Sequence, residues 1–376
     1  MKEKFYPFML EREMSIWENQ VKYNLSESGV HPMTTRELFN NDAQLIDEFL
    51  STELNYPQTN GLIELREQIA RLYPGSTAEE VVVTTGAAQA NFTTLLTLMD
   101  PGDEIVVMLP NYMQIWGVAK NYHLDVKTFS LKEDLGWGVD IDELNRTVSE
   151  KTRLIAICNP NNPTGHILSG EERQAIVQAA GKVGAWILAD EVYAGAEHNT
   201  DEFTPSFWGD YERVFAIGSL SKAYALPGLR IGWVVAPVNM AGEIWARQDY
   251  VTISATMLGN KLAAYALSPD VLPRILGRTR EYVRRGYKNF EQWCNERSDL
   301  FSFVPPQAAA IAFVRYQCEI NSSELVQRLI DEQSTLVVPG DHFGLDQHLR
   351  ISYGLSNDYV NEGLERVYQT LLSSTR

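Results

Sequence analysis

Cysteine is scarce in this chain, with three in 376 residues, Cys158, Cys294 and Cys318, odd in number and far apart. That spacing suggests neither a disulfide framework nor a metal site and fits a reducing compartment. Positive charge is also in deficit: 32 Lys and Arg stand against 49 Asp and Glu, a formal net charge of -17. Holding a nucleic-acid backbone needs a clustered basic surface, so no nucleic-acid partner is expected. No apolar run reaches the roughly 20 residues of a membrane span. Met1 to Asn19 mixes charges with aromatics where a signal peptide would have an apolar centre. A cytoplasmic protein with no membrane partner is expected. Neither G-x-x-x-x-G-K-[ST] nor G-x-G-x-x-G occurs, which argues against a nucleotide-binding enzyme.

What is present is a composition 44% hydrophobic and 22% charged, that of a soluble globular protein, in a chain long enough for two domains. Residues 2–21 predict a helix with Phe5, Phe8, Met9 and Trp17 partly on one side. Residues 23–33, small and polar and broken by Gly29 and Pro32, read as a shaped loop, and Thr35 is expected to cap the helix containing Glu37 and Leu38. A turn-rich loop over 54–61 leads into an amphipathic helix over 62–72. From Glu80 short β-branched runs alternate with helical ones, giving strands at 81–86, 104–108, 154–158, 186–189, 213–217 and 232–236 and a helix at 87–99. Near-continuous apolar strands separated by helices predict a mainly parallel sheet covered on both faces, with Cys158 in its core. Ligands of such sheets bind at the carboxyl ends of the strands. Beyond about Thr252 the pattern becomes α+β: helices at 258–267 and 272–297, a hairpin at 303–316, a helix at 323–333, strands at 336–338 and 349–353, and a terminal helix at 357–373.

The segments that follow the strands carry the chemistry. Ser219-Leu220-Ser221-Lys222 sets an amine among hydroxyls, with Arg230 eight positions on. An amine and a fixed cation so close suit a reactive carbonyl that also bears an anion. Pyridoxal phosphate has both: its aldehyde condenses with a lysine to a Schiff base, and its phosphate takes arginine, hydroxyls and backbone N–H groups. Gly86-Ala87-Ala88 opens a helix whose unpaired N–H groups suit an anion, although tight packing accounts equally for small residues there. Tyr112 can lie flat against a planar ring, and Asn162, in the rigid Asn159-to-Gly165 loop, can donate to a phenolic oxygen. Asp190 leaves a buried strand end, where a carboxylate needs a cation such as a protonated pyridine nitrogen, unless it serves a structural ion pair or helix cap.

Together these segments resemble the fold-type I pyridoxal-phosphate enzymes, specifically the class I/II aminotransferases, over nearly the whole chain. The most specific parts are Ser219-Leu220-Ser221-Lys222 through Arg230, Asn161-Asn162-Pro163-Thr164-Gly165, and Asp190 with Tyr193. The resemblance implies an α/β fold with a mainly parallel seven-stranded sheet in a large domain, residues 46–265, and a smaller α+β domain formed by residues 1–45 and 266–376. It implies that Lys222 carries the cofactor and, once released by substrate, moves a proton between Cα and the cofactor's C4′. Asp190 would pair with the pyridine nitrogen, Asn162 and Tyr193 would hydrogen-bond the phenolic oxygen, and Tyr112 would stack on the ring. Ser219, Ser221 and Arg230 would hold the phosphate with the N–H groups of Ala87 and Ala88. Arg350 matches the arginine that takes the substrate α-carboxylate, Gly29 the glycine beside it, and Tyr56 the tyrosine that reaches the neighbouring subunit's phosphate. An obligate homodimer with shared sites follows.

Ser28-Gly29-Val30-His31, with Arg247-Gln248-Asp249-Tyr250, resembles a narrower branch that includes capreomycidine synthase. On that likeness His31 would approach the substrate as an acid or base, a loop-packing histidine before Pro32 being the alternative, and Glu27 would be available to a cationic side chain. Gln307-Ala308-Ala309 replaces the paired glycines of many relatives and is expected to border the side-chain pocket. No arginine obviously serves a dicarboxylate side chain, so aspartate or glutamate is not expected as the main donor. The expected activity is transfer of an amino group from an L-amino acid to a 2-oxo acid, with a cyclase, lyase or oxidase acting on an arginine-like amino acid as the alternative.

Overall fold

The computed structural model describes residues 5–374. Its centre is an eight-stranded sheet in the order Val81–Thr84, Gly232–Val235, Val214–Ser219, Trp186–Asp190, Thr152–Cys158, Glu104–Leu109, Asp125–Lys132, Gly138–Val139. Side chains alternate between the two faces, as strand geometry requires. Val81, Val83, Ile155 and Ile187 join one apolar cluster, while Val82, Leu154, Leu188 and Phe215 join another on the opposite face. Helices such as Gly86–Leu98 and Gly170–Val183 cover the faces.

The expected seven strands are therefore eight. The last, Gly138–Val139, is two residues long and antiparallel to Leu131 and Lys132, too short to leave a sequence pattern.

Strand direction sets where the chemistry can lie. Five strands, from Val214–Ser219 across to Asp125–Lys132, pair in parallel. Gly232–Val235 is antiparallel to both neighbours, so Val81–Thr84 points the same way as those five. Six carboxyl ends thus share one edge. The residues just before Gly232, Arg230 among them, arrive at that same edge from the other direction.

The smaller unit holds a four-stranded antiparallel sheet, Phe301–Phe303, Ile311–Tyr316, His348–Ser352 and Val338–Pro339, with helices Leu272–Asn295, Ser322–Gln333 and Asn357–Ser374. The strand expected at 336–338 is split in two: Thr335–Leu336 pairs in parallel with Tyr23–Asn24, and Val338–Pro339 joins the four-stranded sheet. That first pairing ties the N-terminal segment to the C-terminal part of the chain.

Two N-terminal expectations change. The helix expected over 2–21 spans Met9–Trp17, and residues 2–4 lie outside the described residues. It buries Leu10 and Met14, while Phe5 and Met9 are exposed. The next helix is capped by Thr34, not Thr35: the Thr34 hydroxyl accepts from the Glu37 N–H at 3.1 Å, and the Glu37 carboxylate accepts from the Thr34 N–H at 2.7 Å. This reciprocal box satisfies two helix-end donors at once.

Candidate active site

At the shared edge lies a cavity of about 490 Å³, walled by residues from strand ends, the N-terminal helix and the smaller unit. Lys222, Asp190, Tyr193, Asn162, Tyr112, Ala87, Ala88, Ser219, Ser221, Arg230, Arg350 and Glu27 all line it.

Asp190 ends its strand and is 6% exposed. Its carboxylate accepts from the Asn91 amide at 2.9 Å and from the Val192 N–H at 3.3 Å, and among the described residues it has no ion-pair partner. Burial pushes its pKa up, with Asn91, Val192 and the charge of Lys222 opposing. A buried carboxylate in this state favours a cationic atom arriving from the cavity. Asn91 was not anticipated, although it stands three and four positions after Ala88 and Ala87 on the same helix, and that spacing places all three on one helix face.

The anion cradle is built from three segments. Ser219 Oγ donates to Ser221 Oγ at 2.9 Å, and Ser221 Oγ accepts from Arg230 Nη1 at 3.4 Å. Gly86 adopts φ +79°, and a Cβ placed there would lie 2.5 Å from Arg230 Nη2. Only a glycine lets the guanidinium approach the start of the helix, where the first N–H groups have no intrahelical acceptor.

Arg350 is 2% exposed. Its Nη1 donates to Asn162 Oδ1 at 3.0 Å, its Nη2 donates to the Ser26 carbonyl, and its Nε has no partner. Because the Asn162 oxygen is engaged by Arg350, the NH2 of that amide is left to donate. The Tyr193 hydroxyl donates to Ser28 Oγ at 2.8 Å. The Tyr112 hydroxyl donates to Glu11 Oε1 at 2.5 Å, and burial followed by the Glu11 charge pushes its pKa up. Lys222 Nζ lies 4.0 Å from Glu27 Oε2. Gly29 passes close to the lysine: a Cβ there would be 3.4 Å from the Ser221 carbonyl and 3.8 Å from Lys222 Cα.

Gly29 and Gly86 do not line the cavity themselves but pack against Lys222 and Arg230, which do, and three further expected positions fall outside it. The His31 ring is exposed and stacks on Tyr282 at 6.4 Å, because the chain turns away after Val30 and the His31 N–H bonds the Gly354 carbonyl. Gln307 is also exposed and accepts from the Ile167 N–H at 2.8 Å, so the segment expected to border the side-chain pocket does not line the cavity. Tyr56 is 80% exposed and contributes nothing to the cavity of its own chain. In place of His31 and Gln307 the wall is completed by Glu11, Met14 and Glu18 of the N-terminal helix region, residues whose local sequence carries no signal for a site.

These residues suit pyridoxal phosphate: an unpaired buried carboxylate for a ring cation, a lysine lining the same cavity, and a cradle that a single Cβ would fill. The fold and the cavity define a fold-type I pyridoxal-phosphate enzyme. Residues 40–367 match the family model for aminotransferase class I and II, and the chain belongs to that family, with pyridoxal 5′-phosphate as its cofactor. Capreomycidine synthase from Streptomyces vinaceus is 30% identical over 362 residues, 95% of this chain and 92% of that protein. The aspartate aminotransferase of Streptomyces avermitilis is 28% identical over 342 residues, 85% of this chain and 82% of that protein. A PLP-dependent aminotransferase from Streptococcus suis superposes with a TM-score of 0.92 at 30% identity, with 100% of both chains covered.

Proposed function

We propose that this enzyme moves an amino group from an L-amino acid to a 2-oxo acid. The observation that carries the reading is the presence of Lys222, Asp190 and Arg350 in the wall of one cavity. When bound, the cofactor supplies an electron sink for the pair left as the substrate's α-proton departs. Asp190 would hold the proton on the pyridine nitrogen, and its burial would strengthen that contact by excluding water. Arg230, Ser219, Ser221 and the N–H groups of Ala87 and Ala88 would hold the phosphate. Tyr112 would stack on the ring, Asn162 would donate to the phenolic oxygen through its free NH2, and the Tyr193 hydroxyl would turn from Ser28 to do the same. Arg350 takes the α-carboxylate, which orients the Cα–H bond, and Gly29 leaves room beside it. Lys222 Nζ, which lines the same cavity, would take the proton from the substrate Cα and hold it for return in the amino transfer. Tyr56 of one subunit reaches the phosphate of its partner in a homodimer, and we place the enzyme in the cytoplasm. Among the described residues no helix is long and apolar enough to cross a membrane.

A second reading, a cyclase, lyase or oxidase acting on an arginine-like amino acid, is favoured by the 30% identity to capreomycidine synthase. It too begins with transfer of the Cα proton to Lys222. The test is a spectral screen of the holoenzyme against single amino acids with 2-oxo acids withheld. Transamination leaves a lasting change in the cofactor's absorbance, whereas in the other reactions the starting spectrum returns.

A further inference from the structure

We propose that Glu133 is a positioning residue for the reaction: by clamping the four-stranded sheet to the eight-stranded one through Arg315 and His348, it sets the place from which Arg350 receives a substrate carboxylate. The inference rests on the reading of Arg350 as the carboxylate site and adds what holds that arginine in register with the rest of the cavity.

Glu133 begins the short turn Glu133–Leu135 that follows the strand Asp125–Lys132 of the large sheet. Its carboxylate reaches across to the small sheet, where Arg315 donates to Oε2 from Nε, at 3.1 Å, and from Nη2. Two donors on one guanidinium fix the carboxylate's direction as well as attracting it. His348 Nε2 lies 3.6 Å from the same oxygen. The His348 ring is buried, and its Nδ1 donates to the Asp346 carbonyl at 2.9 Å, which holds Nε2 turned toward Glu133.

The clamped residues are the neighbours of Arg350. Where Ile311–Tyr316 pairs with His348–Ser352, Arg315 stands opposite His348 and Phe313 opposite Arg350. Residues two apart on a strand share a face, so these four side chains form one block. Phe313 stacks on His348 at 4.7 Å and meets Phe343 at 5.6 Å, and the Arg350 guanidinium lies 5.6 Å from the centre of the Phe343 ring. Arg350 also donates to Asn162, which follows the large-sheet strand Thr152–Cys158, so a shift of the small sheet changes where its guanidinium points. Trp137, in the chain just after the Glu133 turn, is an independent sign that this contact is built. It has φ 64°, a left-handed conformation that a bulky residue keeps only where its surroundings require it. Its buried indole meets Phe313 at 5.7 Å and His348 at 6.1 Å, and among the described residues its Nε1 has no hydrogen-bond partner. Backbone strain and an unpaired donor are both tolerated to seat this corner of the large sheet on the block that carries Arg350.

The test compares two reagents that condense with the cofactor's aldehyde in the same way, aminooxyacetate, which bears a carboxylate, and methoxyamine, which has none. The rate of absorbance change in the holoenzyme is followed for each. The wild type should react with aminooxyacetate at least about 10-fold faster, as hydrogen bonds to a charged group give, and Arg350→Lys should remove most of that ratio. In Glu133→Gln and in Arg315→Gln the ratio should fall about 3-fold or more, the size of effect that residues acting through a packed network have. The cofactor's dissociation constant should stay within about 2-fold in both variants. A merely structural Glu133 would slow both reagents alike, so a ratio unchanged in either variant overturns the proposal, as does a loss of cofactor affinity that matches the fall in the ratio. A ratio that survives Arg350→Lys refutes the reading of Arg350 as the carboxylate site. A ratio lost in Arg350→Lys but kept in the Glu133 and Arg315 variants refutes this proposal alone.

Discussion

Replacing Asp190 with asparagine should raise the stability of the cofactor-free protein and impair the holoenzyme, a reversal that a purely structural carboxylate would not show. Without the cofactor Asp190 is buried, hydrogen-bonded to Asn91 and Val192, and has no ion-pair partner among the described residues. Its folded pKa is raised by burial, so the folded state binds this proton more tightly than the unfolded chain does. Stability of the cofactor-free protein therefore rises as pH falls through the raised pKa and is lower above it. The substitution removes the desolvated charge while its amide oxygen can still accept from Asn91; the lost acceptor for the Val192 N–H offsets part of this, leaving a gain of about 1 kcal/mol at neutral pH. With the cofactor bound the sign reverses. Breaking a buried charged pair costs about 3–5 kcal/mol, which is roughly 10²-fold or more in rate. Denaturant unfolding of the cofactor-free proteins at several pH values, together with kcat/KM of the holoenzymes, reads both halves. Cofactor-free Asp190→Asn less stable than wild type, or a holoenzyme of full activity, would refute the reasoning.

Gly86→Ala should weaken cofactor affinity at least about 10-fold by titration while circular dichroism stays native, since the new Cβ displaces Arg230 and the positive φ adds about 1–3 kcal/mol of strain. Arg350→Lys keeps the charge but loses the fork that both bonds Asn162 and receives a carboxylate; kcat/KM should fall roughly 10²-fold. His31→Ala should leave kcat/KM within about 3-fold in steady-state assays, as surface substitutions usually do, because its ring rests on Tyr282 outside the cavity.

Much of the architecture was legible because buried parallel strands write themselves as apolar, β-branched runs, and the residues just after them have to serve the edge where ligands bind. Asp125–Lys132 escaped for the opposite reason: it lies toward the sheet's edge, alternates exposed with half-buried positions in its first half and buries only Phe129 and Leu131, and reads as polar. The N-terminal helix misled because Phe5, Met9 and Ile16 are exposed, so its apolar residues do not mark its buried side. Contacts distant in sequence left no local trace. Glu11 meets Tyr112 across 101 positions and Asn91 meets Asp190 across 99, and neither pairing could be read from spacing. His31 and Gln307 show the converse error. Each is near site residues in sequence, yet each side chain is held elsewhere, by Tyr282 and by the Ile167 N–H.

The central claim, that the amino group is transferred and not lost, is tested most directly by a burst experiment. Cofactor-loaded enzyme is mixed with the single amino acid that most changes its absorbance and no acceptor, and the 2-oxo acid formed is counted per subunit. The account predicts one burst approaching one 2-oxo acid per subunit, then arrest, with turnover resuming when a 2-oxo acid is added. Continuous consumption of the amino acid without an acceptor, or its conversion with no 2-oxo acid released, would contradict it.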